Sequence, residues 1–395
     1  MVPKLRFSEF NMPWKQTTLG SVSSYAAYGM NSSAIEFDGV NKYIRITDID
    51  DDTREFIPSP LTTPSGKLDN QYLLKKGDIV FARTGASVGK SYLYNEKDGK
   101  LYFAGFLIKF TINKANPYFV YNQTFTEKYR KWVKIHSMRS GQPGINAEEY
   151  KEFEFAAPAL EEQTKIADFL SSVDGKITLL KKQYDLLCRY KKGMMRKIFS
   201  QELIFKDEKG NNFPKWEIKK IGSCISEYKN TTSLENEYPV MTSSRSGLVF
   251  QNDYYGNNRL TERSNIGFNI IPCNYLTYRS RSDDGLFFFN QNKLNVTGCI
   301  SIYYPVFKFK DGDDYFYITM FNYFKNRFRA YAVGSSQLVL SMTDLKKMKF
   351  SIPCPEEQIK ITEFFSAIDK RIYTTKSTLD KLKTWKQGLL QQMFV

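Results

Sequence analysis

The run Arg83-Thr84-Gly85-Ala86-Ser87-Val88-Gly89-Lys90-Ser91 gathers residue types that bind phosphate. Glycines let backbone N–H groups turn toward an anion, a lysine adds a point charge, and a neighbouring hydroxyl can ligate a phosphate-bound metal. The nucleotide-binding loop places four residues between its first glycine and its Gly-Lys pair, whereas three separate Gly85 from Gly89. The same side chains on a glycine-rich backbone can hold a DNA phosphate or approach a base edge. With no other ATPase parts in the chain, DNA contact is the preferred reading. A nucleotide-binding enzyme using Gly85 to Ser91 is the alternative, and an inert hairpin turn is the plain one.

Two further clusters offer similar chemistry, Thr242-Ser243-Ser244-Arg245-Ser246-Gly247 and Tyr278-Arg279-Ser280-Arg281-Ser282. Arginine can donate a bidentate pair to guanine, and serine can meet base edges or phosphate. Loops favour Ser and Gly in any case, so these clusters draw their weight from the architecture around them.

Other chemistry is poorly supplied. His136 is the single histidine, so a His-based triad or His-rich metal site would rest on it alone; an ordinary helix face suits it better. The cysteines, Cys188, Cys224, Cys273, Cys299 and Cys354, are odd in number and never form C-x-x-C, which suits a reducing compartment and buried small side chains. Asn116-Pro117-Tyr118-Phe119 falls one proline short of the Asn-Pro-Pro-(Tyr/Phe) motif of amino-methyltransferases, and no glycine-rich methyl-donor loop or nuclease carboxylate cluster accompanies it. Chemistry on DNA would have to come from other chains.

Lys and Arg outnumber Asp and Glu by 57 to 42, for a formal charge of +15. That balance favours a polyanion, bound through phosphate neutralisation and counterion release; an anionic membrane would also suit the charge. The N-terminus has no apolar signal-like core and no stretch approaches a membrane span, which predicts a cytoplasmic protein without membrane contact. At 395 residues, with 42% hydrophobic side chains, the chain should build two or three cores.

An internal repeat organises it. Pro158-Ala159-Leu160-Glu161-Glu162-Gln163 returns as Pro353-Cys354-Pro355-Glu356-Glu357-Gln358, at an offset of 195 that holds without a gap to Phe199 and Phe394. Trp14 to Ser21 returns as Trp216 to Ser223 at an offset of 202, and the segments between share little. The plan is variable domain, shared helix, variable domain, shared helix.

Both shared segments carry apolar residues at alternating spacings of three and four. They are Ile166, Leu170, Val173, Ile177, Leu180, Tyr184, Leu187, Met194 and Ile198 in the first, with Lys191 as an interruption. The second has Ile361, Phe365, Ile368, Ile372, Leu379, Leu382, Leu389 and Met393, broken by Thr375 and Lys386. A sustained period near 3.5 is a coiled-coil seam. About 40 residues make a rod of roughly 60 Å, and antiparallel pairing of the two would carry the variable domains to opposite ends. In the first domain Lys42 to Ile46, Gly77 to Ala82 and Leu101 to Phe110 read as strands and Pro117 to Lys134 as one helix, with Tyr121, Phe125, Tyr129 and Trp132 as core.

Pro-x-x-Glu-Glu-Gln opening a heptad helix, twice, between dissimilar domains resembles type I restriction-modification specificity subunits. Gly77 to Gly85 is similar to their target-recognition domains, and Ser140-Gly141-Gln142 leading to Ile145-Asn146, with Ser336-Gln337 leading to Leu340-Ser341, fits the approach to each helix. The resemblance implies an α+β fold: two α/β target-recognition domains separated by two long helices forming an antiparallel coiled coil, with a pseudo-twofold internal repeat. Residues 1–155 and 201–350 would be the recognition domains, and 156–200 and 351–395 the helices. Each domain would read half of an interrupted target in double-stranded DNA, and the helical spacer would set the gap. DNA contacts would fall to Arg83, Thr84, Gly85, Ser87, Lys90, Arg139 and Gln142 in the first domain. In the second they would fall to Ser243, Ser244, Arg245, Arg279, Ser280, Arg281 and Gln337. Two methyltransferase subunits would dock on this chain, with nuclease-translocase subunits joining them, and the seam residues, Leu187 among them, would serve the coiled coil or those partners. S-adenosylmethionine and ATP would bind those partners, leaving this chain without cofactor, metal or catalysis. A coiled-coil adaptor for proteins alone is the remaining alternative.

Overall fold

A computed structural model describes residues 2–245, 247–256 and 264–395. The chain forms two units, Met1–Gln183 with Thr375–Val395, and Tyr184–Thr374. Each holds one variable domain and parts of both long helices, Leu160–Phe199 and Pro355–Met393.

In the first unit, Ser23–Tyr28, Leu107–Ile112, Asp78–Ala82 and Ser91–Leu93 lie side by side in an antiparallel sheet. Asp78–Ala82 is buried throughout, which is why its apolar run lacks alternation. Phe81, Phe110, Phe119, Tyr129, Tyr150, Phe153 and Phe155 fill the space between sheet and helices. Tyr121 is buried with them, and Phe125 and Trp132 pack against them.

Two expectations are corrected here. Leu101 to Phe110 is two strands, because the chain turns at Gly105-Phe106: Leu101–Phe103 pairs in parallel with Lys42–Ile44, while Leu107–Ile112 joins the main sheet. Pro117 to Lys134 is two helices, Pro117–Gln123 and Glu127–His136. Thr124 turns its hydroxyl back onto the Tyr121 carbonyl, and the Thr126 hydroxyl accepts from the Tyr129 N–H, so a threonine ends one helix and another caps the next.

The second unit repeats the sheet with Ile225–Tyr228, Val306–Phe309, Leu276–Tyr278 and Phe289–Gln291 in the same order. Lys15–Thr18 pairs with Glu154–Ala157 in one unit, as Glu217–Lys220 pairs with Lys349–Ile352 in the other. An aromatic core of Phe289, Phe307, Phe316, Phe321, Phe328 and Phe350 underlies the second sheet.

The repeated Glu-Gln pair has one job in both units. Glu162 accepts from the Trp14 indole at 3.1 Å, and Glu357 from the Trp216 indole at 2.9 Å. Gln163 donates to the Pro158 carbonyl and accepts from the Asn116 N–H, the N-cap residue of Pro117–Gln123. Gln358 donates to the Pro353 carbonyl and accepts from the Asp313 N–H, the N-cap residue of Asp314–Tyr323. One carboxylate and one amide thus fasten each long helix to the first strand and a helix start of its domain.

Both lysines that interrupt the apolar pattern pair with an aspartate one helix away. Lys386 donates to Asp174 at 2.7 Å, and Asp174 also accepts from the Tyr118 hydroxyl at 2.5 Å. Lys191 donates to Asp369 at 2.6 Å, and Asp369 accepts from the Tyr315 hydroxyl. Burial together with the adjoining carboxylate pushes both tyrosine hydroxyls well above their ordinary range.

The apolar seam is divided between tasks. Val173 and Ile177 meet Leu379 across the helices, with Leu180 and Leu382 beside them. Ile166, Leu170 and Leu389 sit in the first domain's core, and Ile361, Phe365 and Ile368 in the second's. The start of the first helix and the end of the second share the first core, so the two segments run antiparallel there. Leu187 and Ile372 are half-buried.

The repeat-equivalent glutamates differ in one respect. Arg6 forks onto Glu162 with two contacts of 2.8 Å, whereas among the described residues no cation pairs with Glu357, whose burial raises its pKa. Ionised Glu357 therefore costs stability in the folded state, fully at neutral pH and less as pH falls through its raised pKa. Glu357→Gln, which keeps an acceptor for the indole, should raise the melting temperature at neutral pH, with the gain shrinking in acid. Glu162→Gln should instead lower the melting temperature, by taking from Arg6 its only carboxylate partner among the described residues. Thermal denaturation across pH checks both.

Candidate nucleic-acid interface

Arg83 follows the central strand of the first sheet. Its N–H donates to the Phe106 carbonyl at 3.0 Å, and its carbonyl accepts from the Ile145 N–H at 2.9 Å. Thr84 bridges Gly144, and the Gly85 N–H donates to the Pro143 carbonyl at 3.0 Å. The glycine loop is thereby laced to the tract 139–145, bringing Arg83, Thr84, Gly85 and Gln142 into one neighbourhood. An added Cβ on Gly85, whose φ is +77°, would lie 3.2 Å from the Gln142 amide nitrogen.

Arg83 lies with its guanidinium 5.0 Å from the Tyr28 ring, and its Nε makes no hydrogen bond within the protein. Tyr28 is 42% exposed and Phe106 is 62% exposed. Gln142 is exposed, as is Arg139, which pairs with Glu149 and donates to the His136 carbonyl. Ser87 is half-buried in the short turn Gly85–Ser87. His136 closes its helix stacked on Trp132, centroids 4.5 Å apart.

Lys90 is placed differently from the sequence expectation. It is 8% exposed, donates to the Ile49 carbonyl at 2.9 Å and pairs with Asp51 at 2.5 Å, so its charge is engaged by the protein's own loop. Gly89, at φ +85°, is a packing glycine: a Cβ there would lie 2.7 Å from a Val133 methyl. Its carbonyl accepts from the Tyr129 hydroxyl. Ser91 enters a strand, whereas a nucleotide-binding loop opens a helix whose N-terminus faces the phosphates. The nucleotide-binding reading is corrected on these grounds.

The second unit uses the same backbone positions with other side chains. The Ser280 N–H donates to the Tyr303 carbonyl and the Ser280 carbonyl accepts from the Leu340 N–H, both at 2.8 Å, as Arg83 does with Phe106 and Ile145. Ser280 is thus the counterpart of Arg83, and Arg281 that of Thr84. Ser280 is buried, its hydroxyl on the Tyr303 carbonyl, so it faces inward. Arg281 stacks 3.9 Å from the Tyr303 ring, and Arg279 is exposed.

Ser243 accepts from the Asn290 amide, and Ser244 donates to the Gly247 carbonyl. Arg245 is exposed, pairs with Asp284 at 2.5 Å and lies 5.5 Å from the Phe288 ring. The Leu286 N–H and Ser282 hydroxyl, with Arg245, hold the Asp284 carboxyl below the usual range. Gln337 donates to Asp283 at 2.9 Å. Ser246 lies outside the described residues. Sequence reasoning missed Tyr28, Phe106 and Tyr303, because an aromatic at a strand end or in a turn carries no signal until the arginine near it is placed.

A family model described as type I restriction modification DNA specificity domain matches residues 11–188 and again 211–384. The chain belongs to this family. Among specificity subunits of Methanocaldococcus jannaschii, the provisionally named MjaX type I restriction enzyme subunit is 25% identical over 352 residues, 81% of this chain and 78% of its own. The MjaVIII subunit is 23% identical over 377 residues, 85% and 83% of the two chains. The crystal structure of a type I system S subunit from M. genitalium shares the fold, with a TM-score of 0.63 at 16% identity over 100% of this chain and 99% of that one. In this specificity-family chain, the two matched stretches each include one sheet and its loops.

The contrast between Arg83 and Lys90 is testable. Lys90→Ala should lower the melting temperature by leaving the buried Ile49 carbonyl without its donor, at a cost of about 1–3 kcal/mol. Arg83→Ala removes a half-buried side chain that holds no ion pair among the described residues, so it should cost less stability than Lys90→Ala and should weaken DNA binding. Calorimetry beside an electrophoretic binding assay separates the two effects.

Proposed function

We propose that this chain is the non-catalytic DNA-recognition subunit of a type I restriction-modification complex, reading one half of a bipartite, asymmetric target with each domain. The observation that carries the reading is the doubled frame with unlike loops. Both units hold their loops through the same backbone hydrogen bonds, yet one presents Arg83 and Thr84 where the other has Ser280 and Arg281. A conserved frame with divergent side chains at its loops is what reading two different half-sites requires. The family match over both halves and the charge of +15 support it.

On this reading two methyltransferase subunits and the nuclease-translocase subunits assemble on the chain, and S-adenosylmethionine and ATP belong to those partners. Among the described residues no helix is long and apolar enough to cross a membrane, and no group of three or more His, Cys, Asp or Glu is placed to hold a metal ion.

The test is a methylation map. Co-expressed with its methyltransferase subunit in a methylation-free host, the chain should direct adenine methylation to one interrupted motif, detected by base-modification sequencing. Arg83→Ala should relax or weaken one half of that motif, by about 1–3 kcal/mol if it reads a base, and leave the other half intact. Exchanging residues 20–150 for the equivalent stretch of a relative should change that same half alone. A soluble, verified complex that methylates nothing would favour the adaptor alternative instead.

A further inference from the structure

The repeat makes one helix face conspicuous. Arg189, Lys192 and Arg196 follow one another at spacings of three and four in the part of the first long helix that belongs to the second unit. That spacing puts them on one face, over about 10 Å of axis at roughly 1.5 Å per residue. All three are exposed. The opposite face is committed to the fold: Ile198 lies in the second core, Met194 and Met195 pack against it, and Lys191 is bound to Asp369. Arg189, Lys192 and Arg196 have no such partner among the described residues, since each ion pair of this helix segment runs through Lys191. Asp185 is the sole acid between Tyr184 and Phe199.

Cations near a helix C-terminus complement its dipole, and that would be reason enough if the fold needed them. The second long helix shows that it does not. The repeat-equivalent positions there are Thr384, Gln387 and Gln391, and its last turn carries no basic residue. Like charges three and four residues apart destabilise a helix by a few tenths of a kcal/mol per pair. The first helix therefore carries three cations at a small cost in stability, with no ion pair to any of them among the described residues and only Asp185, four residues before Arg189, as a nearby acid of the segment.

We propose that this face binds the phosphate backbone of duplex DNA at base pairs that neither recognition domain reads. The inference rests on the reading of the chain as a DNA-specificity subunit and adds a sequence-independent contact to it. Three flexible, fully hydrated charges in a row suit phosphates, which demand charge and tolerate variable geometry. A protein partner would call for a desolvated apolar centre. The exposed Leu186 and Tyr190 lie to one side of the row, so an acidic protein surface is the competing occupant that the experiment must exclude.

The experiment replaces the three residues with their repeat counterparts, as Arg189→Thr, Lys192→Gln and Arg196→Gln, in the full-length chain co-purified with its methyltransferase subunit. Affinity for a duplex carrying the methylated motif is measured across a salt series. Each lost phosphate contact should lower the slope of log affinity against log salt by about 0.9, hence by about 2.7 for the triple variant. Motif and melting temperature should be unchanged. An unaltered slope overturns the proposal, and so does loss of complex assembly with the slope of the surviving complex intact, which would assign the face to protein. Should the triple variant fail to fold, Arg196→Gln alone should lower the slope by about 0.9, and no change in it overturns the proposal equally. A wild-type complex without motif-selective, salt-dependent binding would bring down the recognition reading itself.

Discussion

Each unit depends on a buried carboxylate held by an indole at the start of a long helix. Glu162 and Glu357 are each 2% exposed, a position no glutamate occupies without its oxygens being satisfied. Trp14 and Trp216 supply the donor, and the glutamine that follows takes the last open positions of the domain backbone. Because the glutamates and glutamines are buried, a missing partner would be expensive, and the geometry tolerates little slack. The helix direction, the first strand and the N-cap of a domain helix are thereby fixed together.

From that joint the frame extends outward through a second polar contact. Asp174 with Tyr118 and Lys386, and Asp369 with Tyr315 and Lys191, tie the same domain helix to the partner long helix. Polar residues in an apolar seam lower stability and raise uniqueness of pairing. Parallel pairing of the repeated helices would set aspartate against aspartate and lysine against lysine, so the pattern favours the antiparallel arrangement found in each unit. The frame is stiff where the repeat is strict. It leaves the loops after the central strand free to vary, since those are held by backbone hydrogen bonds that any side chain can satisfy.

Variation at those loops has a physical limit. Arg83 and Arg281 both rest on aromatic rings, Tyr28 and Tyr303, and neither enters an ion pair among the described residues. Arg245 and Arg139 stand on the surface with carboxylates beside them. Charge at the surface is thus partly matched within each domain, while Arg189, Lys192 and Arg196 enter no ion pair among the described residues.

The sequence by itself determined the repeat, the two long helices and the strand Asp78–Ala82, because those rest on periodicity and spacing within a few dozen residues; the family followed from the resemblance of the doubled Pro-x-x-Glu-Glu-Gln helices to known specificity subunits. Local chemistry also located the loop at Arg83. Tertiary structure alone decided what each member of that loop does. Lys90 turned inward to Ile49 and Asp51, Gly89 made room for Val133, and Ser280, not Arg279, took the place of Arg83. The same holds for the seam, where Ile166 and Leu170 share the heptad pattern of Val173 and Ile177 but enter a domain core. An apolar side chain carries the same pattern whichever surface buries it, and a lysine the same charge whichever oxygen receives it. Partners tens to hundreds of residues away make those choices, and only the folded chain brings them within reach.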